Sequence, residues 1–173
     1  MKIFLVTVTT LALILPELLV GNWGLTLGLP LFGAIYFAAA YRRRYGIVSA
    51  AAAGLILDAV YCRSVMLLVL LLPGIVALVM PLIRRTRRQL PASALLAGAA
   101  AGGLLCCAEA AVVSVCGGRI PGPDLASLLI FHATFGALFL LGFSLFADLI
   151  AVKCNLPKFR QTAGSRPRRE EYE

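Results

Sequence analysis

Six apolar stretches, at about residues 3–20, 25–41, 46–61, 65–83, 92–116 and 125–151, follow one another with only short polar or Pro/Gly-rich breaks between them. A hydrocarbon core ~30 Å thick takes ~20 mostly apolar helical residues per crossing, so each stretch is the length of one membrane passage. A transmembrane barrel is the other way to satisfy the backbone in lipid, but its strands alternate polar and apolar at every second residue, and "LLVLLLPGIVALVM" does not. The sequence therefore predicts an all-α integral membrane protein, a compact bundle of six transmembrane helices over residues 1–152 with a basic, disordered tail over 153–173. Composition excludes an ordinary soluble domain: residues of the AVILMFWYC set make up 61% of the 173, only 14% are charged, and the mean hydropathy is +0.93. The first stretch follows Lys2 as the core of a secretory signal would. It lacks a small-x-small cleavage site and five more stretches follow, so it is read as the first helix.

The net charge of +8 is distributed in a way that argues for topology and against nucleic acid. Fourteen of the 16 basic side chains lie at Lys2, in "RRRY" at 42–45, in "RRTRR" at 84–88 and in the tail from Lys153 to Arg169, whereas Arg63 and Arg119 alone occupy the intervening turns. By the positive-inside rule both termini are cytoplasmic, as an even number of crossings also requires. The basic clusters are expected to rest on anionic lipid headgroups. The tail is also a candidate docking segment for a cytoplasmic partner.

Cys62, Cys106, Cys107, Cys116 and Cys154 form no C-x-x-C pair and no regular framework, so no metal site and no cofactor is expected. Cys106 and Cys107 read as small packing residues within the fifth helix. Cys62 and Cys116 both fall at the outer boundary, where a disulfide would form only if their Cα atoms came within ~7 Å.

Against this background the acids stand out. Glu17, Asp58, Glu109 and Asp148 lie within apolar stretches, joined by His132, the single histidine. At ~1.5 Å per residue, Glu17 and Asp58 sit ~6 Å inside the outer ends of their helices and Glu109 and His132 ~10 Å inside, two polar layers in one leaflet. Asp148 lies at the opposite end, where Lys153 or a neighbouring arginine is expected to neutralise it. The third helix is marginal: its large apolar residues favour insertion by ~3 kcal/mol, and an acid at a helix centre opposes it by ~2.5 to 3.5 kcal/mol. Asp58 must therefore face protein. In "SAAAAG" just upstream, Ala50 and Gly54 stand four apart, the spacing that lets helix backbones approach closely, and Gly24 with Gly28 and Gly98 with Gly102 repeat it.

The polar set admits an internal pairing that fixes the bundle, such as Glu109 with His132, a partner-binding surface, a ligand pocket or an ion relay. With one histidine, no hydroxyl at a strained turn and no paired acids at a catalytic spacing, no catalytic residue is assigned and an enzyme is not expected.

Six short spans in 173 residues, a basic loop before the third, and the segment "GLILDAV" with its G-L-x-x-D pattern at Gly54, Leu55 and Asp58 resemble the rod shape-determining protein MreD family, most closely from Arg42 to Ile83. The resemblance implies a non-enzymatic scaffold of the bacterial cell-elongation machinery in the inner membrane. It further implies an MreC-like bitopic partner and regulation of the transpeptidase and polymerase that extend peptidoglycan. A similar silhouette belongs to the substrate-binding subunits of energy-coupling-factor vitamin transporters, which bind their ligand near the outer face. Such subunits usually carry an Ala-x-x-x-Ala ridge in the first helix, whereas here the only alanine is Ala12 and Pro16 stands four residues later. Apart from Trp23, the outer turns are also poor in aromatic residues.

Overall fold

The structure, a computed structural model, describes residues 2–21, 26–61, 66–85, 90–115 and 122–153, and these form six α-helices. In chain order they are α1 (Lys2–Gly21), α2 (Leu29–Ala40), α3 (Arg43–Val60), α4 (Leu67–Arg85), α5 (Leu90–Val115) and α6 (Gly122–Lys153). Three are long and apolar enough to cross a membrane: α1 over Ile3–Gly21, α5 over Ala92–Val115, and α6. Two shorter apolar helical stretches, Leu29–Ala40 and Leu68–Ile83, belong to α2 and α4. The remaining helix, α3, is the least apolar of the six because it carries Arg43, Arg44 and Asp58.

The helices differ from the expected stretches where backbone chemistry overrides hydropathy. Hydropathy predicts a second helix from residue 25, yet α2 starts at Leu29: Gly28 takes a left-handed conformation, φ 71°, and Pro30 stands in the first turn. Gly28 therefore belongs to a non-helical approach, and its expected ridge partner Gly24 lies outside the described residues. Conversely, α3 begins at Arg43 because Arg42 is extended, φ −150° and ψ 147°, and turns the chain within two residues. The basic "RRRY" segment thus supplies the first turn of a helix, closed by Tyr45 N–H donating to the Arg42 carbonyl at 3.0 Å. The last helix runs to 32 residues, ~48 Å at ~1.5 Å each, starting at Gly122 with Pro123 and Asp124 in its first turn.

Every residue of α2 except Ala39 is buried, and this short helix is surrounded by the other five. A helix apolar all round belongs inside a bundle. On α6, Phe131, Phe135, Phe139 and Phe143 recur every fourth residue and stack ring on ring, with centroids 5.7–6.1 Å apart. Phe32 and Tyr36 of α2 pack on this ladder, 5.6 Å from Phe139 and Phe143 respectively.

Glycines set the closest approaches. A methyl group at Gly98 would collide with the Gly136 carbonyl oxygen, and one at Gly102 with that of His132, so α5 and α6 meet backbone to backbone. At Gly54 the clash would be with the Leu68 carbonyl, 2.5 Å away, which places the start of α4 directly on α3. Cys106 is buried and Cys107 exposed on α5, while Cys62, Cys116, Arg63, Arg119 and the tail from Cys154 onward lie outside the described residues.

Candidate functional site

The first four N–H groups of a helix have no partner within it, and in an apolar surround each one left bare costs several kcal/mol. This requirement explains where two of the acids, Glu17 and Asp58, sit. Glu17, one turn from the end of α1 and only 1% exposed, turns its carboxyl toward the start of α2. Its Oε1 accepts from the N–H groups of Leu27 and Gly28 at 2.9 and 3.0 Å, and its Oε2 from that of Leu29 at 2.9 Å. Tyr61, at the end of α3, donates its hydroxyl to the Glu17 carbonyl at 3.3 Å and lies against Gly21, where any side chain would collide with it.

The same chain segment is held from the other side by α5 and α6. Thr26 donates its hydroxyl to Glu109 Oε1, while the Thr26 carbonyl lies 3.0 Å from His132 Nε2. The other ring nitrogen, Nδ1, is 2.9 Å from the Leu128 carbonyl. Both partners of the ring are carbonyl oxygens, so a neutral imidazole donates to one of them and an imidazolium to both. Glu109 and His132, expected at one depth, thus meet at Thr26. That threonine escaped the sequence reading, and its one signal is a hydroxyl at the start of the second apolar stretch, nine residues after Glu17.

Asp58 repeats the device of Glu17 one hairpin later. It is 1% exposed, and its Oδ2 accepts from the N–H groups of Leu68 at 2.8 Å and Val69 at 3.2 Å, the first turn of α4. Its Oδ1 is buried with no hydrogen-bond partner. Gly54 is what permits this: one turn before Asp58 on the same face of α3, it admits the Leu68–Val69 backbone to contact distance, and the carboxyl one turn on meets the N–H groups so delivered. Leu55, the remaining residue of the G-L-x-x-D pattern, points away and is 47% exposed.

The predicted set therefore divides. Glu17, Glu109 and His132 converge on residues 26–29, whereas Gly54 and Asp58 form a separate joint at the start of α4, and Leu55 belongs to neither. The two groups adjoin across Leu57, Tyr61 and Leu68, which with Glu17, Thr26 and Glu109 border a space of about 10 Å³. That holds one water at most. Asp148, expected to be balanced by Lys153 or an arginine, accepts a hydrogen bond from Tyr36 of α2 at 3.0 Å. Among the described residues no group of three His, Cys, Asp or Glu side chains is placed to hold a metal ion. Comparison with protein-family models, with curated proteins and with solved structures finds no match to this chain.

Proposed function

We propose that the chain is a multi-pass protein of the bacterial inner membrane that acts as an MreD-like scaffold, a non-enzymatic subunit of the cell-elongation machinery that binds an MreC-like partner and, through it, the peptidoglycan transpeptidase and polymerase. The observation that carries this reading is the division of labour within Gly54-Leu55-x-x-Asp58. Two of its residues are consumed in fixing α4 onto α3, which leaves Leu55 on a rigid outward surface. The acids of the outer layers face backbone N–H groups or Thr26, so their chemistry serves to hold helices in register.

In this reading all six helices cross the bilayer and both termini are cytoplasmic. The 12 residues of α2 rise only ~18 Å, but the three non-helical residues before it add up to ~10 Å, and together they approach the ~30 Å core. Non-helical backbone at such depth must be satisfied by protein, which is the service Glu17 and His132 perform for residues 26–28.

The transporter reading draws on the same polar residues, but the space beside Glu17, Thr26 and Glu109 is far below the ~300 Å³ at which small-molecule pockets begin. Copurification in mild detergent from a rod-shaped host tests the two. Recovery of a bitopic protein with a periplasmic coiled coil, together with rounding of cells on depletion, is the expected result. An ATPase-bearing complex or a tightly held vitamin would overturn it.

A further inference from the structure

Between α1 and α3 runs a surface groove of about 500 Å³, within the range of pockets that hold a small ligand. Its walls are apolar, with Val6 and Leu11 on one side and Val48 and Ile56 on the other, but its mouth is not. Arg42 and Arg44 stand there, both exposed, and among the described residues neither is in an ion pair and no acidic side chain lines the groove. The mouth is also the start of α3, whose N-terminal N–H groups receive no side-chain cap. The positive end of the helix and two guanidinium groups thus face the same opening.

A second observation comes from inside. Ser49 lines the groove one turn past Tyr45, its residue is 5% exposed, and its hydroxyl has no hydrogen-bond partner. A buried hydroxyl without a partner costs ~1–3 kcal/mol, and an occupant that parts α1 from α3 slightly would bring an acceptor to it. From Ile3 to Leu11 the groove follows α1 for ~12 Å, and from Arg44 to Ile56 it follows α3 for ~18 Å, which brackets the ~15 Å depth of one leaflet's hydrocarbon.

We infer that this groove is a binding site for one anionic diacyl phospholipid, with the phosphate on Arg42, Arg44 and the uncapped start of α3, an ester oxygen at Ser49, and an acyl chain between Val6 and Ile56. This is a single stoichiometric site, distinct from the diffuse attraction of basic clusters to a charged surface. Delipidated full-length protein in neutral detergent, titrated with phosphatidylglycerol or phosphatidylcholine and read by native mass spectrometry, tests it. One phosphatidylglycerol is expected to be retained with about tenfold preference over phosphatidylcholine. The preference should vanish in Arg42→Gln/Arg44→Gln and persist in Arg168→Gln/Arg169→Gln, which removes the same charge from the tail. Val48→Trp, which fills the groove and leaves both arginines in place, should lose the retained lipid too. Equal retention of the two lipids, equal loss in the tail variant, or undiminished binding in Val48→Trp would overturn the assignment. So would a photoactivatable phosphatidylglycerol that labels residues elsewhere, or a protein helix trapped in the groove in the lipid's place.

Discussion

At Asp58, one carboxyl oxygen answers two backbone N–H groups and the other answers none. The two oxygens can therefore be separated by mutation. Asp58→Asn keeps the accepting oxygen and places its NH2 where no bond is lost, so its cost should stay within about 1 kcal/mol. Asp58→Leu leaves both N–H groups bare at a cost of about 2–4 kcal/mol. Equilibrium unfolding in bicelles reads the difference, and equal stability of the two variants would contradict the capping role. Gly54→Ala should weaken the same joint by about 1–3 kcal/mol with the carboxyl intact, because its methyl group meets backbone that cannot move aside. By contrast Gly142 is exposed on α6, and nothing stands within 4 Å of the position a methyl group would take there. Alanine there should be tolerated and add about 0.5–1 kcal/mol of helix stability.

Among the elements, α2 depends most on its neighbours. Twelve residues make a marginal helix in isolation, and this one is started by a carboxyl from α1 and braced along its length by α6. Glu17→Ala strips three N–H groups of their acceptor and should cost about 3 kcal/mol or more, with hydrogen exchange accelerated first at Leu27, Gly28 and Leu29. Glu17→Gln should fall between, since its NH2 confronts the Leu29 N–H with a second donor. Uniform exchange across α2 in both variants would argue that packing alone starts the helix. The sequence revealed less of this element than of any other. Its apolar stretch was legible, but its late start depends on Gly28 and Pro30 working with an acid ten to twelve residues away. Hydropathy averages over such a break. Thr26, Tyr36 and Tyr61 were missed for a related reason: their partners lie 44 to 112 residues off, and no local periodicity points to them. What local spacing does encode was readable. Gly98 and Gly102 stand one turn apart on one face, as do Gly54 and Asp58, and each pair meets a neighbouring backbone.

For the whole molecule, the distribution of basic residues predicts that reporter fusions at both ends of the chain will be active only as cytoplasmic fusions, and activity of either on the periplasmic side would refute the proposed cytoplasmic placement of both termini. Asp58 was readable as a residue that must face protein, because a helix so weakly apolar cannot present an acid to lipid; that its companion would be the start of the next helix was not, since the pattern carries no information on what Gly54 lets in. The two capping acids have a temporal consequence. Each finds its donors ten to twelve residues downstream, so at ~5–20 residues per second a nascent α1 or α3 waits about a second for the backbone that will answer its carboxyl. If all six helices cross the bilayer as proposed, the natural unit handed from ribosome to membrane is then the pair, α1 with α2 and α3 with α4, and a chain halted between residues 58 and 68 leaves its newest helix carrying an acid that nothing yet synthesised can shelter.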